Sequence, residues 1–495
     1  MTLPLPGRVV TRADRPRGRS SASSTGQAFM VGQVEGGPVS GTSYSLDEFV
    51  AFTGARISSG FLYDAAEAFF REGGTQLNWS SVVSATAVAA YRDLNNGSAA
   101  ACLRVSAGGP GTYGNGLNVK VETNAQDASI PSGQFVITVA VAATGEVIET
   151  MPPMPDETAA LAYAAANWKR AVLSDQAAAG PPVALAYAAL SSGSAGAAIA
   201  DADWQTALDR FPKNLGPGQV LAPGRTTSVG HLQVIAHAVA NNRFALLDAV
   251  DTSTTATLTS LADSDYAAPN QGARRAQLCW PWAIVPGLTP YSTRTVPWSA
   301  VQAGLCARVD ALGNPNQPVA GETQGKSPRW VLGLSQANPS DATRTTLNDY
   351  GVNVALMVTD FGGGQRPVMY GNRTLSRELV DPNWLQASGS RMMMRLEDDI
   401  DQIMRLLVHE QNQKGSLTGR LSGELAAMLG GHYKRGALYG DTAQEAYAVN
   451  CGPQINTDST IAAGLLKASV AARVTPGADR VSTELVRVSI TDKVA

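Results

Sequence analysis

Strand patterns and helix patterns take turns along most of this chain, and one long block interrupts them. QAFMVGQV (27–34) is an apolar run of strand length. SLDEFVAFTG (45–54) reads as a helix, with Ser45 placed to cap it and Asp47 and Glu48 in its first turn; FLYDAAEAFFREGG (61–74) reads as an amphipathic helix stopped by glycine. The alternation resumes with DWQTALDRF (203–211), GQVLAPG (218–224), a helix over about 231–241 and RFALLDAV (243–250). It continues through LCWPWAIV, VQAGLCARVDAL, TTLNDYGVNVALMV and RPVMYGNRTL. Such alternation implies an α/β core.

The interrupting block, about 77–201, is rich in alanine and glycine. Within it LNVKVET and QFVITVAVAATGEVIE read as strands joined by turns, and DETAALAYAAANWKRAVL carries helix formers behind acidic first-turn residues. It reads as a β-rich inserted domain. Near the end a long helix is expected over about Ser390–Gln413, with Leu396, Ile400, Ile403 and Leu407 on one stripe. The expected architecture is a multidomain α/β (α+β) chain: a mixed-sheet core at 27–76 and 202–478 with long C-terminal helices, the insertion at 77–201, and extended arms at 1–26 and 479–495.

Each arm holds one short extended stretch. In the first it is Arg8-Val9-Val10-Thr11; in VSTELVRVSITDKVA (481–495), Val486, Val488 and Ile490 share one face. A lone strand in water is marginal, so each arm needs a sheet to join. Whether that sheet belongs to its own subunit or to a neighbour's is open at this level.

Charged residues make up 16% of the 495, with a net charge of −3, which gives no general drive toward nucleic acid or anionic membrane. A surface so sparsely charged suits protein partners, copies of the same chain included. Cys102, Cys279, Cys306 and Cys451 form no metal-binding spacing and read as reduced, mostly buried thiols. The first residues lack the apolar run of a secretion signal, which points to a protein made and kept in the cytosol. The uncharged run Gln176–Ala200 is long enough to cross a bilayer but too weakly apolar to enter one.

Motifs with chemical connotations do not survive their context. AGETQGKS (320–327) matches a loose phosphate loop, yet proline-rich coil precedes it and a broken segment follows, where a strand and a helix are required. Gly109, Gly111 and Gly114 complete a G-x-G-x-x-G that runs into strand alternation, which favours a hairpin or loop. Asp360–Gly362 spells DFG without the other kinase elements. His231, His237, His409 and His432 read as structural or solvated, Glu397, Asp398, Asp399 and Asp401 as a solvated early-helix face, and Met392–Met394 as core or interface filler. No catalytic residue, cofactor or metal is expected, and the chain is not expected to be an enzyme.

The order of several short motifs resembles the sheath proteins of contractile phage tails and related injection machines. They are PGRVVTRADRPRGRSSASSTGQAFMVG, SLDEFVAFTG, DAAEAFFREGG, AGLCARVDALG, LNDYGVNV, YGNRTLS, RGALYGDTAQEAYAVNCG and GLLKASVAARVTPGADRVSTELVRVSI. The resemblance covers nearly the whole chain outside the insertion, which is similar to the extra outer domain of larger members. The chain departs from the family pattern at Arg391-Met392-Met393-Met394-Arg395, where a paired arginine is usual, and at TQLNWSSVV (75–83), where an aromatic-rich strand is frequent. The resemblance implies stacked hexameric rings around a tail tube that contract to drive the tube through a cell envelope. It implies intersubunit strands at Arg8, Val9, Val10, Thr11 and Arg12 and at Glu484, Leu485, Val486, Arg487, Val488, Ser489 and Ile490. It also implies a tube-facing part at about 385–478 that includes GRLSGELAAMLGGHYKRG. The implied partners are the chain itself, the tail tube protein, and baseplate and terminator proteins. The setting would be a virion tail assembled in the host bacterial cytoplasm, with a bacteriocin-type or secretion-type sheath as the alternative and a static tube or shell protein as a more remote one.

Overall fold

The computed structural model describes residues 25–312, 314–323, 326–359, 363–412 and 415–478. Its centre is an eight-stranded sheet in the order Gln365–Met369, Val352–Thr359, Ala276–Trp280, Phe244–Asp248, Gln219–Leu221, Ala28–Gly32, Leu77–Ser81, Ser40–Ser43. The six inner strands run parallel, and the two edge strands are antiparallel to their neighbours. Parallel strands are covered on both faces, which is why QAFMVG has no polar alternation. Ala28 and Met30 enter one core with Phe49, Leu62, Phe69, Trp79 and Trp298. Phe29 and Val31 enter the other with Phe211, Ile235, Leu258 and Leu347. The chain is therefore an α/β core wound on both sides of one sheet.

The helix-end signals act as the sequence indicates. Ser45 Oγ accepts from Glu48 N–H at 3.1 Å to start Leu46–Thr53. Gly73, at φ 115°, closes Leu62–Glu72 in the left-handed region.

Leu77–Ser81, placed by sequence at the head of the insertion, pairs with Ala28–Gly32 over five residues and is an inner strand of the main sheet, next to the edge strand Ser40–Ser43. It is buried along its whole length, and its polar residues are matched: Trp79 Nε1 donates to Ser43 Oγ and Asn78 Nδ2 to Gln27 Oε1. The excursion proper has two small antiparallel sheets. One orders Tyr91–Asn95, Ala101–Ala107, Ala171–Asp175; the other orders Leu185–Ala189, Leu117–Thr123, Phe135–Val141, Val147–Thr150. With the helix Glu157–Asn167 they enclose a separate core that includes Leu103, Val119, Phe135, Ile137 and Ala160.

GGPGTYGNG is where this unit meets the loop between Ala28–Gly32 and Ser40–Ser43. A Cβ on Gly109 would lie 2.1 Å from the Gly37 carbonyl oxygen, so only glycine permits the approach. Arg170 stacks 4.9 Å from the Tyr113 ring and reaches Glu35 at 3.4 Å, joining the two parts. The segment continues through a 3₁₀ turn, Tyr113–Gly116, into a strand.

The long helix spans Ala387–Leu407, earlier at both ends than expected, because Val408 is extended and His409 adopts φ 69°. A second helix, Ser416–Lys434, packs beside it through Leu417, Leu421, Leu425 and Leu429. The first half of the long helix sends Ala387 and Met394 into the main core, while Met392 and Leu396 enter a smaller core with Leu429 and Leu438. Glu397, Asp398, Asp399 and Asp401 consequently lie mid-helix and not in a first turn, so the macrodipole does not account for them. Each has a partner instead: Arg275, Gln402, Arg395 with His432, and Arg405.

Candidate functional site

The C-terminal unit carries a two-stranded antiparallel ribbon, Tyr447–Asn450 against Ser469–Ala472, in register Tyr447↔Ala472 through Asn450↔Ser469. Alternation gives it two unlike faces. Tyr447, Val449, Val470, Ala472 and Val474 pack toward Met392, Leu396 and Leu429, while Ala448, Asn450, Ser469 and Ala471 have little or no cover.

The second strand runs on beyond the ribbon, always bonded along one edge. Arg473 N–H donates to Ala446 O at 2.8 Å, Tyr439 N–H donates to Arg473 O at 2.8 Å, and Thr475 N–H donates to Ala437 O at 3.0 Å. Two side-chain amides then replace backbone. Asn316 Nδ2 donates to Thr475 O at 2.7 Å. Gln386 Oε1 accepts from Gly477 N–H at 2.7 Å while its Nε2 donates to Gly477 O at 2.8 Å.

In an extended strand the N–H and C=O of one residue point to one side and those of the next to the other. Since 473, 475 and 477 face inward, Val470, Ala472 and Val474 face outward. Among the described residues their N–H and C=O groups meet no backbone partner. Pro476, next in line, has no N–H to offer. Among the described residues the result is an edge of six backbone groups without a backbone partner, on a ribbon that two strands alone hold marginally. A depression of about 550 Å³ opens beside it, lined by Trp384, Gly389, Met393, Tyr447, Ala472 and Val474 among others.

Arg8–Arg12 and Glu484–Ile490 lie outside the described residues, as do Gln324, Gly325 and Asp360–Gly362. Residues 320–323 and 326–332 form neither strand nor helix, and Arg308 Nη2 donates to the Ser327 carbonyl. His231 Nδ1 is 2.6 Å from Asp265, both fully enclosed. Burial, with Arg243 alongside, pushes His237 down to about 3. Bonds from His432 and Arg395 hold the Asp399 carboxyl below its ordinary range against the opposing push of burial. All four cysteines are buried and unpaired, and burial pushes the Cys306 thiol up to about 12.

A smaller cleft of about 340 Å³ lies at the ends of Ala28–Gly32 and Gln219–Leu221, where ligands bind in many doubly wound folds. Its cation, Arg225, is engaged by Asp201 and Gln233. No group of three or more metal-ligating side chains occurs, and no helix is long and apolar enough to cross a membrane, among the described residues. The open strand edge is thus the feature that sequence reasoning missed. Its signal was the alternation Val470-x-Ala472-x-Val474, but which edge is free depends on residues far away in sequence.

This architecture is that of the contractile sheath proteins. The chain matches the helical sheath of the anti-feeding prophage in its contracted state at TM-score 0.56 and 15% identity, over 98% of this chain and 99% of that one. It matches the PVC sheath complex of an extracellular contractile injection system, contracted state, at 0.58 and 13%, over 98% of each chain. It matches the sheath tail protein of Listeria innocua at 0.59 and 10%, over 91% of this chain and 95% of that one. No protein-family model and no curated sequence matches, so the likeness is one of fold.

Proposed function

We propose that this chain is the structural subunit of a contractile sheath, stacked as hexameric rings around a tail tube and able to slide from an extended lattice into a shorter one. The observation that carries this reading is the free edge Val470–Val474 on a subunit with the sheath fold. The strands that fill it are Arg8–Arg12 or Glu484–Ile490 of neighbouring copies. Backbone pairing then supplies affinity and the alternate side chains supply register. Six hydrogen bonds at ~0.5–1.5 kcal/mol each give about 3–9 kcal/mol per link, enough to hold neighbours while their bodies slide.

The work needs no active site. Two packings of one subunit that differ modestly in free energy, multiplied over many copies, drive the tube forward. The C-terminal unit, about 385–478, faces the tube, and baseplate and terminator proteins cap the ends. The particle is a phage tail or a related injection machine assembled in the host cytoplasm.

Deleting residues 1–14 or 483–495 is expected to abolish polymer while the circular dichroism and melting of the body stay as they were. Contractile sleeves of truncated protein in electron micrographs would show that the arms do not link subunits.

A further inference from the structure

Arg243 lies fully out of solvent, and among the described residues its guanidinium meets no carboxylate. Its partners are neutral. Nη1 donates to Phe211 O at 2.7 Å, Nη2 to Pro212 O at 2.8 Å and Nε to Gly216 O at 3.3 Å, while the guanidinium covers the Phe29 ring at 3.6 Å. The helices Asp201–Asp209 and Ser228–Ala240 both end within a few residues of these contacts, and their negative ends supply part of the missing counter-charge. The three carbonyls belong to one loop, 210–217, through which the chain returns from the inserted unit to the main sheet at Gln219–Leu221. Gln27 ties the same loop, its Nε2 donating to Leu215 O and Pro217 O.

The remaining contact of Arg243 sets a condition on this arrangement. Its Nη1 lies 2.6 Å from His237 Nε2. Arginine only donates, so that nitrogen must accept and the ring must be neutral. The other ring nitrogen faces Asn241 Nδ2 at 3.3 Å, which itself donates to the His237 carbonyl, so among the described residues neither ring nitrogen meets an acceptor for an added proton. Arg243 is the charged group whose field reaches the ring. Those of the neighbouring elements are engaged elsewhere or reach solvent: Asp265 with His231, Arg275 with Glu397, Arg210 with Ser80 and Ser81, and Asp209 and Lys213 at the surface. None of them balances an imidazolium at His237, which would stand directly against the Arg243 cation.

We infer that His237 is an acid-sensitive catch on this loop: neutral, it lets Arg243 clasp residues 211–216; protonated, it repels the guanidinium, and the loop opens. Opening frees the joint between the inserted unit and the main sheet. The inference stands apart from the sheath reading and does not depend on it. With the folded pKa pushed down to about 3 from an ordinary 6.5, the catch contributes fully above about pH 6.5 and is lost as pH falls toward 3. Between pH 7 and pH 5 the ratio of closed to open loop falls about twenty-fivefold.

The test is hydrogen exchange of the full-length monomer at pH 7 and pH 5, each rate divided by the intrinsic rate at that pH. In the wild type, protection of the Leu215 and Gly216 amides, which donate to Pro212 O and Lys213 O, is expected to fall about twenty-fivefold at pH 5. Amides of the inserted core, such as Ile137 and Val139, should keep theirs. His237→Gln offers Arg243 a carbonyl oxygen that does not titrate, so its loop should be as well protected at pH 5 as at pH 7. Selective ¹⁵N labelling of the histidine rings reads the proton itself in the wild type, whether or not the variant folds. The ring next to Arg243 should remain neutral at pH 5. A ring there that takes up its proton near pH 6.5, or a wild-type loop whose protection matches the folded variant's at both pH values, overturns the inference.

Discussion

Proline at Ala472 separates the edge from the fold that presents it. The Ala472 N–H points outward, so a proline there leaves the pairing of Ser469–Ala472 with Tyr447–Asn450 whole. Its neighbour Ala471 pairs with Ala448 on the inner side, and proline at that position breaks the ribbon's own ladder. On the incoming strand Ala472→Pro strands one carbonyl and loses one bond. Together these cost about 2–4 kcal/mol per link, roughly a thirtyfold to thousandfold loss of association. The stability of the isolated subunit should stay within about 1 kcal/mol, whereas Ala471→Pro should lower it by about 1–3 kcal/mol. Sedimentation gives the critical concentration for assembly, and urea unfolding of the monomer gives stability. If Ala472→Pro assembles at the wild-type critical concentration, or destabilises the monomer as much as Ala471→Pro does, the assignment of inner and outer edges is wrong.

Two further predictions concern the body that carries the edge. Burial pushes the Asp248 carboxyl up to about 6, against bonds from Ser299 and Gly224. Its folded pKa exceeds its unfolded one, so the folded state holds the proton more tightly; the added stability is full below about pH 4 and is lost as pH rises through about 6. From this group alone the subunit should be about 1.4 kcal/mol more stable at pH 5 than at pH 7 in urea titrations, and Asp248→Asn should remove that increment. Arg391 pairs with Asp310 at 2.5 Å with both side chains out of solvent, tying the long helix to Trp298–Leu312. Arg391→Met, which leaves the carboxylate alone, should cost about 3–5 kcal/mol, and pairing it with Asp310→Leu should recover most of that in the same unfolding assay.

What the sequence shows well is what short stretches decide. Ser45, Gly73 and the apolar run 28–32 each act within one or two turns of chain, and each does in the structure what its chemistry indicates. Leu77–Ser81 was harder to assign because LNWSS holds three polar residues in five. It is buried inside the main sheet, where Ser43 and Gln27 satisfy Trp79 and Asn78. The apolar stripe of the long helix was legible, while its end was set by His409, a residue with no strong signal for the left-handed region.

The candidate site lies further still from local reading. Thr475-Pro476-Gly477 favours a turn, yet none forms there, and an amide 91 residues away, on Gln386, bonds both backbone groups of Gly477. A free edge is a property of everything that fails to pair with it, and so of the whole fold.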